Sequence, residues 1–184
     1  MIGLSQFAGG ETLGIFTCKQ EFIRKVPGRL VGVAHDKKDR KGFVLTLQTR
    51  EQHIRRAKAT SNICTNHAHN ALRAAIYLCL MGPQGVRQVA RACVRNTTRL
   101  RKALEAIKPG SIAFDGPSFR EITVRCAGSA TAARDALIEN GYFAGVPLSE
   151  TLGQKYNNLL LVAVTEKRSD SEIDAFAKAL GEYL

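Results

Sequence analysis

The first third of the chain sets its apolar residues in short, loosely alternating runs. "LGIFTCK" (13–19) alternates as a strand does, and "KQEFIRKV" reads as a short helix stopped by Pro27-Gly28. "RLVGVAHD" and "KGFVLTLQ" are β-rich runs on either side of the charged turn "DKKDRK" and predict a hairpin. "REQHIRRAK" has helical propensity but little apolar surface, so an exposed or interfacial helix is expected. From residue 65 the period changes. Residues 65–81 predict a helix, and its second half, Ala74 to Met81, is apolar on every side, which predicts burial all round. Gly82-Pro83 ends it. A second long helix is predicted over 84–108, with Val86, Val89, Ala90, Cys93, Val94, Leu100, Leu104 and Ile107 on one apolar face and Pro109-Gly110 as its stop.

The remainder alternates strands and helices. "SIAF", "FREITVRC", "YFAGVPLS" and "NLLLVAVTE" read as strands. "TAARDALIEN" and "SDSEIDAFAKALGEYL" read as helices, the latter capped by Ser169 or Asp170. The order β-β-α-β-β-α predicts a small α+β domain with a mainly antiparallel sheet and helices on one face. A boundary falls near Lys108–Ser111. The N-terminal strands lack evident partners and suggest the end of a larger domain, so the chain is expected to be a fragment.

With 184 residues, 45% of them hydrophobic, the chain can bury a core. It has no run of about 18 apolar residues, which argues against a membrane-spanning helix. The N-terminus lacks a basic segment followed by an apolar one, so a signal peptide is not expected and the cytoplasm is the default compartment. Five cysteines at wide spacing, with no C-x-x-C pair, make a zinc cage improbable. Cys79 and Cys93, among apolar residues, read as inert core fillers. The four histidines form no metal constellation, and there is no G-x-S-x-G elbow.

The formal net charge of +11 suggests a negatively charged partner. Bases concentrate in two stretches, 19–58 and 87–102. In the second, Arg87, Arg91, Arg95 and Arg99 repeat at intervals of four and share one helical stripe. That stripe is either a solvated face or a docking strip for an acidic partner. In the first, Arg55, Arg56 and Lys58 crowd against Thr60, Ser61 and Asn62 immediately before a predicted helix. Helix N-termini carry unpaired N–H groups and partial positive charge, so hydroxyls and arginines here can hold an anion such as phosphate. Ordinary capping by Ser61, Asn62 or Thr65 accounts for the same residues, and is the commoner use of them. "TEKRSDSEID" (165–174) reads as a solvated turn entering a capped helix.

Three blocks taken together, "GIFTCKQEFIRKVPGRLVG" (14–32), "GFVLTLQTREQHIRRAKATSNICTN" (42–66) and "LLVAVTEKRSDSEID" (160–174), resemble glycine dehydrogenase (decarboxylating), the P-protein of the glycine cleavage system. The resemblance is to subunit 1 of the two-subunit form and runs in order through nearly the whole chain. It implies an α/β fold, the C-terminal part of a pyridoxal-phosphate-dependent aminotransferase-like (fold type I) subunit. Residues 1–110 would be the end of the large domain with its connecting helices, and 111–184 the small C-terminal α+β domain. The implied reaction decarboxylates glycine with pyridoxal phosphate as electron sink and passes the aminomethyl group to the lipoyl arm of H-protein. Subunit 2 carries the Schiff-base lysine in this family, so no catalytic residue is assigned here, and the cofactor would be bound mainly by that partner. By position, Thr60 becomes the leading phosphate donor across the interface. Ser61 and Asn62 are its companions, and Arg55 and Arg56 give electrostatic support. Glu11-Thr12 departs from the family's usual Pro-Tyr-like pair, and His67, His69 and Arg73 stand where small or amide residues are commoner.

Two other readings compete. A basic nucleic-acid-binding domain would want exposed aromatics on its strands, and "FREITVRC" and "NLLLVAVTE" supply only Phe119. A fragment of another aminotransferase-like enzyme, such as a cysteine desulfurase relative, would need a mobile cysteine loop, which is not evident.

Overall fold

The "DKKDRK" turn closes a hairpin. In a computed structural model that describes residues 4, 13–26, 30–46, 52–59 and 67–184, strand β1 (Leu30–His35) pairs antiparallel with β2 (Lys41–Thr46), from Leu30 opposite Thr46 to His35 opposite Lys41. Asp36 organises the turn. Its carboxylate accepts from the Lys38 and Arg40 backbone at 2.8 and 2.9 Å and from Arg40 Nε at 2.7 Å, and Asp39 takes the left-handed conformation. These bonds to the Arg40 and Lys38 backbone and the Arg40 side chain hold the Asp36 carboxyl below its usual pKa.

Ahead of the hairpin, Gln20–Lys25 forms a short 3-10 helix, as the sequence predicts, and Val26 leaves it in extended conformation, as a residue before proline must. Residues 13–19 are not a strand, against expectation, because no described strand offers them a ladder. After the hairpin, helix α1 (Gln52–Arg55) passes into a 3-10 turn, Arg56–Lys58, and both are exposed where their side chains are described, in keeping with their polar sequence.

Helix α2 (Ala68–Ile107) is broken where the sequence stops it: Gly82 has φ 60° and ψ 178°, with Pro83 beginning the next turn. Contacts divide the chain close by, into Met1–Leu80 and Met81–Leu184. The burial predicted for Ala74–Met81 is not found. Ala74 is buried, but Ile76, Leu78 and Leu80 remain 42–82% exposed. An all-apolar helix can cover only one face with whatever packs on it, and no described residue covers these others.

The second unit holds the core. Beyond the break, α2 buries Cys93, Leu100 and Leu104, while Val86, Val94 and Ile107 of the predicted face stay partly exposed. The sheet is antiparallel in the order β3-β5-β4, with β3 (Glu121–Arg125), β4 (Val146–Pro147) and β5 (Leu159–Ala163). "SIAF" contributes a single bridge, Ile112 to Val124, and "YFAGVPLS" only the two residues of β4. A short helix, α4 (Ser149–Leu152), follows β4. Helices α3 (Ala130–Glu139) and α5 (Asp170–Gly181) join α2 around the inward residues Ile122, Val124, Leu160 and Val162. Each fully buried leucine or valine there contributes roughly 1.5–3 kcal/mol. Ser129 caps α3. Ser169 and Glu172 form a reciprocal capping box on α5, with Glu172 N to Ser169 Oγ at 3.3 Å and Ser169 N to Glu172 Oε2 at 2.7 Å. No helix among the described residues is long and apolar enough to cross a membrane.

Candidate functional site

Two of the five candidate phosphate-binding residues are described. Arg55 and Arg56 stand side by side where α1 gives way to the 3-10 turn. Both are exposed, and neither meets a carboxylate among the described residues. Arg56 takes φ 51°, an unusual conformation for a side-chain-bearing residue, and its carbonyl accepts from Ala59 N at 3.1 Å. The chain then leaves in extended form at Ala59. Thr60, Ser61 and Asn62 lie outside the described residues, as does Thr65. Helix α2 begins at Ala68, a little later than the predicted 65, and has no acidic residue in its first turn. Two guanidiniums with no carboxylate partner among the described residues, and Lys58 exposed beside them, are a donor set of the kind that can bind a phosphate group.

A second constellation joins α2 to the segment between β5 and α5. Asn96 is fully buried, and its Nδ2 donates to the carbonyls of Thr165 and Arg168, both at 2.9 Å. Thr97, also buried, donates to Val164 O at 3.4 Å. Cys93 Sγ donates to Glu166 Oε2 at 3.3 Å. Burial, together with the nearby carboxylate, raises the Cys93 thiol pKa, so the group stays protonated and unreactive at neutral pH. For Glu166, burial pulls the pKa upward, but hydrogen bonds from its own backbone and from Cys93 outweigh this and lower it. The turn "TEKR" is therefore exposed, as expected, yet clamped from beneath. Sequence reasoning missed Asn96 and Thr97. The signal was present, since 93, 96, 97, 100 and 104 share one stripe, and two polar residues there must find buried partners.

The arginine ladder divides. Arg99 donates to Asp174 through Nε at 2.8 Å and Nη2 at 2.6 Å and meets Asp170 at 3.0 Å, while Arg95 lies 3.9 Å from Asp170. Arg87 and Arg91 are exposed and meet no carboxylate among the described residues. The stripe is thus partly an internal clasp between α2 and α5.

Between α5, β5 and the Gly141–Ala144 loop lies an open cleft of about 670 Å³. Leu100, Val162, Ile173 and Phe176 line it, Arg168 and Glu172 border it, and the neighbouring Phe143 is 92% exposed. It offers mainly apolar contact, with the hydroxyls of Tyr142, Thr165 and Ser171 among its lining.

The second unit is thus an α+β sheet-and-helix domain that includes α2 beyond its break, and a basic turn lies upstream of that helix. The chain belongs to the glycine cleavage system P-protein family, whose model it matches over residues 1–180. A relative from Chlorobium limicola, named "Probable glycine dehydrogenase (decarboxylating) subunit 1", is 49% identical over 179 residues, covering 97% of this chain and 40% of its own length. A relative of the same name from Exiguobacterium sibiricum is 46% identical over 97% of this chain and 40% of its own length. The crystal structure of a glycine decarboxylase (P-protein) of the glycine cleavage system, in inhibitor-bound form, superposes with a TM-score of 0.76 at 41% identity, over 90% of this chain and 37% of that one. The chain therefore spans about 40% of the length of the curated relatives it matches. The mixed α/β class and the likeness to part of a fold type I subunit hold as the sequence suggested. The nucleic-acid-binding reading is not favoured.

Proposed function

We propose that this chain is the C-terminal part of the non-lysine subunit of a two-subunit glycine dehydrogenase (decarboxylating). The observation that carries this reading is 49% identity to a subunit 1 across 97% of the chain. Residues 1–110 end the large domain and carry the connecting helix, and 111–184 form the small domain. The complete enzyme is a cytoplasmic heterotetramer with subunit 2. It decarboxylates glycine and delivers the aminomethyl group to lipoylated H-protein, and this piece alone is inactive.

Pyridoxal phosphate, held mainly by subunit 2, supplies the electron sink for decarboxylation. This chain's contribution is to bind and orient. Arg55 and Arg56 would offset the charge of the cofactor's phosphate, and Thr60, with Ser61 and Asn62, would supply hydroxyl and amide donors to it. The exposure of both guanidiniums and their lack of a described acidic partner support this role.

The test grafts this sequence into the matching region of the Chlorobium limicola relative and pairs the product with subunit 2. Glycine–bicarbonate exchange is then measured with H-protein. Activity requiring both subunits is expected, with a fall of about tenfold or more in Thr60→Ala while assembly persists. Unchanged exchange in Thr60→Ala would return 60–62 to helix capping. Failure to assemble would overturn the reading as a whole.

A further inference from the structure

Asn140 and Gly141 form the chain's one Asn-Gly step, and the fold uses both residues. Helix α3 ends on Asn140, at φ −85° and ψ 9°, and Gly141 follows in the left-handed region at φ 82°. Gly141 N donates back to Ile138 O at 2.9 Å, and Tyr142 N to Leu137 O at 2.8 Å. These two reversed bonds satisfy the last carbonyls of a helix and need a left-handed residue at their centre, which glycine adopts without strain. The Asn140 side chain joins the cap, its Nδ2 donating to Ala136 O at 3.2 Å.

The same dipeptide carries a covalent chemistry of its own. Asparagine is a thermolabile residue, and a following glycine has no side chain to obstruct attack by its backbone nitrogen. That nitrogen bonds to Asn140 Cγ and gives its proton to solvent, while Nδ2 leaves as ammonia and a cyclic succinimide remains. Water then opens the ring. Opening at Cγ gives an aspartyl residue, and opening at the main-chain carbonyl gives an isoaspartyl one. In the cap both reacting groups are held elsewhere, the nitrogen on Ile138 O and the leaving amide on Ala136 O. Reaction therefore waits for the cap to open. Only the last turn of α3 and the loop after it need move, and that loop is anchored by Tyr142, whose ring centre lies 5.6 Å from that of Phe176.

We propose that Asn140–Gly141 is a site of spontaneous deamidation whose rate is set by local opening of the C-terminal cap of α3. The product cannot restore the cap. A carboxylate at position 140 lacks the Nδ2 donor and sets negative charge at the negative end of the helix. An isoaspartyl linkage also adds a carbon to the main chain between the Leu137 and Tyr142 partners. Gly141, Tyr142 and Phe143 line the cleft beside α5, so conversion alters its wall. The reaction needs water alone and is independent of the two-subunit reading.

The experiment incubates the full chain beside a synthetic peptide of residues 135–155 at neutral pH and samples both over time. Brief digestion and mass spectrometry measure the acid formed at position 140, and an isoaspartyl methyltransferase assay counts the rearranged product. The folded chain is expected to convert at least about tenfold more slowly than the peptide, in line with the cost of local opening. Phe176→Leu, which loosens the anchor without touching the reacting residues, should move the rate towards that of the peptide. Asn140→Gln should abolish conversion, and the converted chain should melt below the fresh one. Conversion of the folded chain at the peptide's rate overturns the gating by the cap. A slow rate that Phe176→Leu leaves unchanged overturns local opening as its cause. A peptide that does not convert overturns the site itself. Should Phe176→Leu fail to fold, hydrogen exchange of the wild-type Gly141 amide decides. Protection to about the same extent as the slowing of deamidation supports the proposal, and an unprotected amide overturns it.

Discussion

Arg99 of α2 grips Asp174 of α5 with two nitrogens, at 2.8 and 2.6 Å, and so ties the long helix to the last one. The hydrogen bond from Arg99 holds the Asp174 carboxyl below its ordinary pKa near 3.8 and raises that of the guanidinium. A carboxylate with a depressed folded-state pKa stabilises the fold in full above its unfolded value and loses that contribution as pH falls through the folded value. The difference in stability between wild type and Asp174→Asn is therefore expected to be constant near neutrality and to shrink between about pH 5 and pH 2. Urea unfolding at a series of pH values measures it. A gap that does not close on acidification would remove the ion pair from the account.

Asn96 should matter more than any exposed arginine. Replacing it by alanine strips two backbone carbonyls, those of Thr165 and Arg168, of their donor and leaves a void in the clamp. A loss of about 1–3 kcal/mol is expected by denaturant unfolding. Thr97→Val, which removes one long bond at 3.4 Å, should cost less.

The split arginine ladder predicts two behaviours on one stripe. Arg99→Glu should lower the melting temperature by setting like charges against Asp170 and Asp174. Arg91→Glu should leave stability within about 0.5 kcal/mol, since nothing described is paired with it. If Arg87 and Arg91 dock an acidic partner, that same variant should weaken association with subunit 2 or H-protein.

These arginines also show how much was legible in the sequence. Spacing located the stripe, but only the fold could reveal that α5 returns beside α2 and brings Asp170 and Asp174 to half of it. The hairpin, the Ser169 cap of α5 and the break at Gly82 were readable because turn residues, Ser169 and Gly-Pro act locally. The strand expected at 13–19 and the enclosure expected for Ala74–Met81 failed for a common reason. Both depend on a distant partner surface, and alternation or apolarity does not reveal whether one is present. Of the candidate phosphate-binding residues, Arg55 and Arg56 stand exposed in a basic turn, while Thr60, Ser61 and Asn62 lie outside the described residues.

Gly145 tolerates no side chain. It takes φ 144°, and a Cβ there would collide with the Leu161 carbonyl oxygen, where the loop enters β4 against β5. Gly145→Ala is expected to cost about 2–4 kcal/mol, read as a drop in melting temperature, by combining backbone strain with a pushed-apart strand pair.

Thiol chemistry should sort the described cysteines by burial. Cys18 and Cys79 are exposed, whereas burial raises the pKa of both Cys93 and Cys126. Mass spectrometry after brief iodoacetamide treatment at neutral pH should find the first two alkylated and the second two intact until denaturant is added. Exposure of Cys79 also corrects its reading as a core filler.

The Asn96 clamp has a consequence for synthesis. Its acceptors lie 69 and 72 residues downstream, so the helix that carries Asn96 leaves the ribosome well before the segment it must grip. At roughly 5–20 residues per second, the nascent helix waits about 4–15 s with Leu100 and Leu104 uncovered. The second unit can then close only after its C-terminal end has emerged, and in that interval the α2 stripe is a natural target for chaperones.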